Sequence, residues 1–293
     1  MLQFKHGGVA DHFQNAAKNR GNRTLCDCGS GLHISSVPIG NDAYQHSILG
    51  HNRALKSPHK ETQSGVWTLE DFQGQPELRQ AGDKPGTGVR ADWKSLRLPD
   101  GANSLRNQPL GRAVGKDIRT AVDATAGLGY DTYALALLGV EVLAWERDAN
   151  VFALLANALA RSHGDEKLSA AAARIQIEHA NAHTRLPTLR AKAGFTLPLF
   201  TAREFVAPDL ILLDPMFGGE RGAAKPSKEI QALTATVGAD VDADSLLDMA
   251  IAAATQRVIV KRARLAPPLA GREPDWIIKG KLLRFDVYRA GAL

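Results

Sequence analysis

Short apolar runs alternate with longer amphipathic stretches from about residue 116 onward. This alternation is typical of an α/β fold, in which helices separate the strands of a largely parallel sheet. The pattern predicts helices over Asp131–Leu138, Asn150–Ser162 and Asp244–Ala254. It predicts seven strands, at Thr120–Ala124, Glu141–Trp145, Ile175–His179, Asp209–Leu213, Arg257–Lys261, Trp276–Lys279 and Arg284–Tyr288.

The last two predicted strands are separated by only four residues, 280–283. A parallel neighbour needs a crossover of a dozen or more residues, so these strands should form an antiparallel hairpin. A mostly parallel sheet that ends in a hairpin is typical of class I S-adenosylmethionine-dependent methyltransferases. The predicted fold is therefore α/β and Rossmann-like, with seven strands and a C-terminal hairpin, rather than an all-parallel nicotinamide-binding domain.

Three regions follow from the change of pattern along the chain. Residues 1–65 are rich in Gly, Asn, Ser and His and lack a sustained period, which predicts a poorly ordered or loosely attached extension. Residues 66–115 are interrupted by Gly and Pro but contain short ordered pieces around Trp67 and Trp93, which predicts a small N-terminal subdomain. Residues 116–293 are predicted to form the methyltransferase domain.

Composition indicates a globular enzyme. The 293 residues are 44% hydrophobic, without an apolar run of 18 residues and without the apolar core of a secretory signal at the start, so we expect a cytoplasmic protein. Cys26 and Cys28 are separated by one residue, and no second Cys pair follows. Two reduced thiols are favoured over a zinc site, and no metal is expected.

The positive charge is concentrated in the first part of the chain. Residues 1–120 contain 16 Lys and Arg against 11 Asp and Glu, whereas residues 121–293 contain 20 of each. A basic N-terminal region joined to a neutral catalytic region suits a polyanionic substrate, because cationic groups bind phosphates without reading the nucleotide sequence. The excess is equally compatible with a role in solubility alone.

A glycine turn marks the candidate cofactor site. Asp123 ends the first predicted strand, and Gly127 and Gly129 follow it, where a backbone without Cβ atoms can approach a nucleoside closely. Glu146 ends the second strand, and its carboxylate can accept hydrogen bonds from both ribose hydroxyls. Arg147 follows it, and the pair would bracket the adenosine.

Two further side chains are cofactor candidates. Asp131 begins the helix after the glycine turn, where a role near the cofactor's amino-acid end competes with plain stabilisation of the helix start. Asn181 follows the third strand, where residues flank the adenine in this architecture, although a turn residue is its simpler interpretation. The third glycine of a dinucleotide fingerprint is absent, because Thr132 stands there.

The segment Asp214-Pro215-Met216-Phe217 ends the fourth predicted strand and is the candidate catalytic segment. Asp214 and the Pro215 carbonyl could accept hydrogen bonds from an exocyclic amine and so align the nitrogen lone pair with a methyl group. Phe217 could stack on the base. A strand-ending turn is the alternative interpretation.

Basic residues surround this segment in sequence. Lys261 and Arg262 follow a strand directly and are the predicted substrate-binding residues, through contacts to phosphates. Lys225, Lys228 and Arg264 belong to the same set. Their plain alternative is solvated surface charge.

These segments together resemble the bacterial small-subunit (16S) ribosomal RNA (guanine-N2)-methyltransferase J family. The resemblance extends from about Gly111 to Tyr288, whereas residues 1–65 match nothing in the family and residues 66–110 resemble its N-terminal part only distantly. The segments that carry it are Val122-Asp123-Ala124-Thr125-Ala126-Gly127-Leu128-Gly129, Glu146-Arg147, Leu213-Asp214-Pro215-Met216-Phe217, Val258-Ile259-Val260-Lys261-Arg262, Ala266-Pro267-Pro268-Leu269 and Arg284-Phe285-Asp286-Val287-Tyr288.

The resemblance implies methyl transfer from S-adenosylmethionine to the N2 amine of one guanosine near the 3′ end of small-subunit ribosomal RNA, free or within an assembling or assembled subunit. Family members commonly have Arg at the position of Tyr130 and a Ser pair at Asn181-Ala182, so these contacts would come from backbone groups or be altered. The cofactor contacts that it implies fall at Tyr130, Asp131, Glu146, Arg147, Asn181, Ala182 and Asp214.

Three other functions fit parts of the pattern. Methylation of adenine in DNA or RNA, or of a protein glutamine, uses a similar Asp-Pro-x-aromatic segment. A nicotinamide-dependent oxidoreductase is disfavoured by Thr132 and by the terminal hairpin. A non-catalytic RNA-binding module would leave Asp214 and Glu146 without a purpose.

Overall fold

Nine strands occur in the parts of the chain that the structure, a computed structural model, describes: residues 66–96, 102–191, 207–216, 226–238 and 242–290. The strands are β1 Trp67–Phe72, β2 Gln75–Gln80, β3 Thr120–Asp123, β4 Glu141–Glu146, β5 Ile175–His179, β6 Leu210–Leu213, β7 Arg257–Ala263, β8 Trp276–Lys279 and β9 Leu283–Arg289. The helices are α1 Ala102–Arg106, α2 Pro109–Val114, α3 Tyr130–Leu137, α4 Ala149–His163, α5 Ser169–Ala172, α6 Ala182–Ala191, α7 Lys228–Val237 and α8 Ala243–Ala253.

Seven of these strands form one sheet in the order β5-β4-β3-β6-β7-β9-β8. The pairs among β5, β4, β3, β6 and β7 are parallel, and β9 is antiparallel to both β7 and β8. The strand order reverses between β3 and β6, and open α/β sheets bind ligands at the carboxyl edge beside such a reversal. The structure confirms the predicted α/β fold, a seven-stranded and mostly parallel sheet with a C-terminal hairpin.

The central strands are buried on both faces, which explains their nearly continuous apolar runs. Successive residues of β6 alternate between two apolar layers: Leu210 and Leu212 face one, and Ile211 and Leu213 face the other. The first layer contains side chains of α3, α4 and α5, and the second contains those of α6 and α8. Helices therefore cover both faces of the sheet.

The three predicted helices correspond to α3, α4 and α8, each shifted by about one residue. The pattern did not predict the short helices α1, α2 and α5, nor α6 or α7. Pro187 lies inside α6, and proline normally ends a helix. The helix persists because Ala182, Leu186 and Leu189 are buried in the layer shared with α8. Ser227 caps α7 by accepting a hydrogen bond from the Ile230 amide.

The described residues before the sheet contribute to its first apolar layer. β1 and β2 form an antiparallel hairpin, and Leu78 of β2 pairs with Val89 in a short bridge. Val89 and Trp93 are buried in the same core as Leu128. Residues 66–96 thus reach the loop that follows β3, whereas the predicted extension, residues 1–65, lies outside the described residues.

The described residues contain neither a membrane-spanning helix nor a metal-binding cluster. None of their helices combines the length and the apolar character that crossing a membrane requires. The same ranges contain no group of three or more His, Cys, Asp or Glu side chains that could hold a metal ion. Cys26 and Cys28 lie outside them, so their predicted reduced state stays a prediction.

Candidate functional site

The glycine turn after β3 lies at the carboxyl edge, and its two glycines differ in their surroundings. Both have positive φ, +55° at Gly127 and +77° at Gly129, which side chains disfavour. A Cβ atom at Gly129 would collide with the side chains of Leu155 and Trp93. A Cβ atom at Gly127 would meet nothing within 4 Å. Gly129 therefore allows close packing, whereas Gly127 leaves room for a ligand.

Trp93 supports this turn from the N-terminal region. Its indole Nε1 donates a hydrogen bond of 2.9 Å to the Leu128 carbonyl, and its ring stacks on Tyr133 with 5.1 Å between centroids. The side chain is buried. The sequence pattern indicates Trp93 only as part of a short ordered piece, because nothing local connects it with a loop 35 residues away.

Asp123 lies beneath the turn rather than on its open side. Its side chain is buried, and its Oδ2 accepts a hydrogen bond of 2.6 Å from the Thr132 hydroxyl. Burial raises the pKa of Asp123 to about 7, against the opposing effect of the Thr132 hydrogen bond. Thr132, which replaces the third glycine of a dinucleotide fingerprint, thus has a structural partner. Asp123 shapes the loop, and a direct contact to the cofactor stays a prediction.

Glu146 is fixed at the end of β4 by two backbone amides. Its Oε2 accepts from the Gly127 amide at 2.9 Å, and its Oε1 accepts from the Asp148 amide at 2.8 Å. Burial raises the pKa of this carboxyl group, and the amide hydrogen bonds act in the opposite direction. Each carboxylate oxygen can accept a second hydrogen bond, so the side chain remains able to bind a diol.

The remaining adenosine candidates follow β4 and β5 at the same edge. The Arg147 guanidinium lies 3.7 Å from the Asp242 carboxylate. Asn181 is exposed, and its Oδ1 accepts from the His183 amide at 2.9 Å as α6 begins. Ala182 is buried as the first residue of α6, so only its backbone could reach a ligand. The Ala180 amide donates to the Glu146 carbonyl at 2.9 Å, which places Asn181 near Glu146.

The Lys261 ammonium group connects the glycine-turn side of the site with the segment that follows β6. The Lys261 Nζ lies 2.6 Å from the Asp131 Oδ2 and 2.9 Å from the Asp214 Oδ2. Burial lowers the pKa of Lys261, but the two carboxylates outweigh it and raise that pKa above its ordinary value. Lys261 therefore stays charged and holds the acid that begins α3 beside the acid that follows β6.

Asp214 is also held through its backbone. Its amide donates a hydrogen bond of 2.6 Å to the Thr125 hydroxyl, which ties the end of β6 to the loop after β3. The side chain is 42% exposed. Pro215 follows it at the carboxyl edge, whereas Phe217 lies outside the described residues.

The sequence predicts phosphate contacts for Lys261 and Arg262. Lys261 instead bridges two acids inside the protein. Arg262 is buried, and its Nε donates to the Pro267 carbonyl at 3.0 Å. Both cationic groups have internal contacts, which is not the arrangement expected for binding an external polyanion. The pairing of Leu213 with Val260 places the next residues, Asp214 and Lys261, side by side, but only the strand order reveals it.

Tyr130 stands at the start of α3, next to the glycine turn. Its hydroxyl donates a hydrogen bond of 3.1 Å to the Glu229 carboxylate on α7. Burial, with a further contribution from Glu229, raises the pKa of Tyr130 to about 12. The phenol stays protonated and joins α3 to α7. Its predicted contact to the cofactor stays a prediction.

The fold and the arrangement of this edge define the class of protein. A glycine turn with room for a ligand, a carboxylate fixed at the end of the next strand and an acid at the end of β6 are the arrangement of a class I S-adenosylmethionine-dependent methyltransferase. The family described as "Putative SAM-dependent methyltransferase" matches residues 54–290. The match begins well before Gly111, so the family resemblance extends further towards the N-terminus than the sequence motifs indicated.

The chain belongs to the ribosomal RNA small subunit methyltransferase J family. It is 41% identical over 216 residues to the family member of Thioalkalivibrio sulfidiphilus, covering 72% of this chain and 79% of the relative. It is 36% identical over 273 residues to the member of Pseudomonas syringae pv. tomato, covering 90% and 94%. A crystal structure of a SAM-dependent methyltransferase from Neisseria gonorrhoeae is similar, with 31% identity, a TM-score of 0.58 and coverage of 80% and 87%.

Proposed function

We propose that this enzyme transfers a methyl group from S-adenosylmethionine to the exocyclic N2 amine of a specific guanosine in small-subunit (16S) ribosomal RNA. The observation that carries the proposal is the Asp131–Lys261–Asp214 bridge, because it brings a cofactor-side acid and a substrate-side acid to one ammonium group. The relatives' name, ribosomal RNA small subunit methyltransferase J, supports the substrate class.

The residues present fit S-adenosylmethionine. Glu146 can accept hydrogen bonds from the ribose hydroxyls, and Gly127 leaves the backbone accessible. Asp131, Lys261 and Asp214 together carry one net negative charge, which complements a ligand whose sulfonium and ammonium outweigh its carboxylate. When bound, the cofactor supplies an electrophilic methyl group. Tyr130, Arg147, Asn181 and Ala182 are proposed to complete its binding site.

Asp214 is proposed to orient the guanine amine. Conjugation with the ring makes this amine a poor nucleophile, so its lone pair must be aligned. The Asp214 carboxylate is ion-paired with the Lys261 ammonium at 2.9 Å, which suits a group that accepts a hydrogen bond from the amine while the proton lost on methylation passes to water. The Pro215 carbonyl would accept the second N–H, and Phe217 would stack on the base. Phe217→Leu is accordingly expected to weaken productive RNA binding more than the transfer step.

The decisive experiment uses ribosomal RNA from a strain that lacks the gene. Purified enzyme, S-adenosylmethionine and either naked RNA or isolated small subunits should yield one N2-methylguanosine per RNA, located by nucleoside analysis. Methylated adenosine, or label in protein, would instead support the other amine substrates. Comparing naked RNA with subunits identifies the physiological form of the substrate. Since ribosomes are cytoplasmic in bacteria, we propose that the enzyme acts there.

Replacing Glu146 with alanine is expected to weaken binding of S-adenosylmethionine at least tenfold, or by about 1.4 kcal/mol, because the ribose loses its acceptor. Calorimetry with purified protein measures the change. Glu141→Ala is a matched control, since Glu141 is the first residue of the same strand and lies at its amino end, away from the glycine turn. Unchanged affinity in a folded Glu146→Ala variant would remove Glu146 from the site.

Deleting residues 1–65 is expected to leave cofactor affinity intact and to weaken RNA binding, because this region contributes to the basic excess. RNA affinity measured against salt concentration should fall less steeply for the truncated protein, since fewer counterions are released on binding. Equal slopes for the two proteins would show that the segment makes no electrostatic contribution to RNA binding.

A further inference from the structure

Exposed leucines cluster where the β8–β9 hairpin turns. Leu282 in the turn is 78% exposed, and Leu283 at the start of β9 is 41% exposed. Leu265, just past the end of β7, is 93% exposed. The Arg264 amide donates to the Leu282 carbonyl at 3.1 Å, so the segment after β7 and the hairpin turn lie side by side. Apolar groups concentrated in this way indicate a binding surface.

Cationic side chains are interleaved with these leucines. Arg264, Lys279 and Lys281 are all exposed. The neighbouring Arg284 is buried and forms a two-bond pair with Asp286, so it does not add to the surface charge. We call this surface the hairpin rim; it consists of Arg264, Leu265, Lys279, Lys281, Leu282 and Leu283.

The hairpin rim borders the candidate active site. Lys261, which contacts Asp214, is two residues before Ala263 on β7, and Ala263 pairs with Leu283 of β9. A strand rises by about 3.3 Å per residue, so Ala263 lies roughly 7 Å beyond Lys261 along β7, in the direction that leads out of the carboxyl edge. A base that reaches Asp214 from outside the carboxyl edge would thus have its flanking nucleotides near this surface.

We propose that the hairpin rim binds the RNA segment that flanks the target guanosine, an inference that rests on the proposed function. Arg264, Lys279 and Lys281 would contact phosphates, and the leucines would pack on bases or riboses that are unstacked when the guanosine enters the site. Positive charge interleaved with apolar groups suits a polyanion with exposed base faces. It suits a protein partner less well, because the cores of protein interfaces are depleted of lysine.

The test compares two triple variants of the full-length chain. The rim variant carries Arg264→Ala, Lys279→Ala and Lys281→Ala. The control carries Lys167→Ala, Arg174→Ala and Arg289→Ala, which remove the same charge from solvent-accessible side chains outside both the basic residues 1–120 and the hairpin rim. Both are titrated with small-subunit ribosomal RNA from the deletion strain at several salt concentrations, and with S-adenosylhomocysteine.

The rim variant is expected to bind RNA about tenfold or more weakly than the control, with a salt slope lower by about 2, as three lost contacts predict. Its affinity for S-adenosylhomocysteine should equal that of the control. A second variant, Leu265→Ser with Leu282→Ser, should reduce RNA affinity without changing the salt slope, which separates apolar from ionic contacts.

Equal RNA affinity and salt slope in the rim and control variants would overturn the inference. Normal binding of naked RNA combined with lost methylation of intact subunits would assign the rim to a ribosomal protein and would likewise overturn it. Failure of the wild-type enzyme to methylate the RNA would count against the proposed function instead. The binding titrations and the methylation assay therefore distinguish the two failures.

Discussion

Replacing Asp214 with alanine is expected to lower the single-turnover rate of methyl transfer by about 100- to 1,000-fold at saturating cofactor and RNA. The amine would lose the acceptor that orients its lone pair. Lys261 would keep Asp131 as its remaining carboxylate partner of the bridge. Some loss of cofactor affinity is expected as well, because the missing charge contributes to the negative character of the site.

Two further variants separate the causes. Asp214→Asn keeps an acceptor oxygen but loses the negative charge, so its rate should lie between those of alanine and wild type. Asp248→Ala removes an exposed acid on α8 that pairs with Arg272, and its rate should stay unchanged. A near wild-type rate for Asp214→Ala would show that the segment is only a strand-ending turn. The guanine assignment would then lose its main physical support.

Replacing Lys261 with methionine is expected to lower the rate at least tenfold near neutral pH and to make it depend on pH. Two carboxylates would face each other without the ammonium, and one of the pair would take up a proton at higher pH than in the wild type. Because Asp214 acts in its ionised form, the variant's rate should rise with pH across the neutral range. The wild-type rate should stay flat there, since the raised pKa of Lys261 keeps its charge in place.

Lys261→Arg is the matched control because it restores the charge with different geometry. It should recover the flat pH profile and only part of the rate. Single-turnover rates across pH measure both, with thermal melting to verify that each variant is folded. A pH-independent rate in a folded Lys261→Met variant would contradict the positioning role of Lys261. If only Lys261→Met fails to fold, the dependence of the Lys261→Arg rate on pH becomes the test.

Local pattern predicted the seven strands because buried parallel strands need continuous apolar runs, whatever their partners. The helices α3, α4 and α8 were predictable for a similar reason, since each presents a regular apolar face to the sheet. Helix α6 was not, because Pro187 argues against a helix locally, and the packing of Leu186 and Leu189 outweighs it. Tertiary contacts decided that element.

Within the site, the sequence indicated the positions that follow strands. Gly127, Glu146 and Asp214 could be proposed as ligand-binding residues because carboxyl ends of parallel strands meet at one edge. The partners of these groups could not be proposed. The hydrogen bond of Thr132 to Asp123 and that of Trp93 to Leu128 join residues 9 and 35 positions apart, and only the folded chain defines them.

The sequence by itself determined the class of this protein: the apolar runs specified a doubly wound sheet, the final short connection specified a hairpin, and the motifs indicated the family. The tertiary structure decided which charges act on one another. Lys261 lies 47 residues from Asp214 in sequence, yet the pairing of β6 with β7 brings their side chains into contact. Electrostatic energy depends on distance and burial rather than on residue type. Lys261, which the sequence predicts to contact phosphate, for this reason forms an internal ion bridge, and the exposed cations of the hairpin rim lie beyond it.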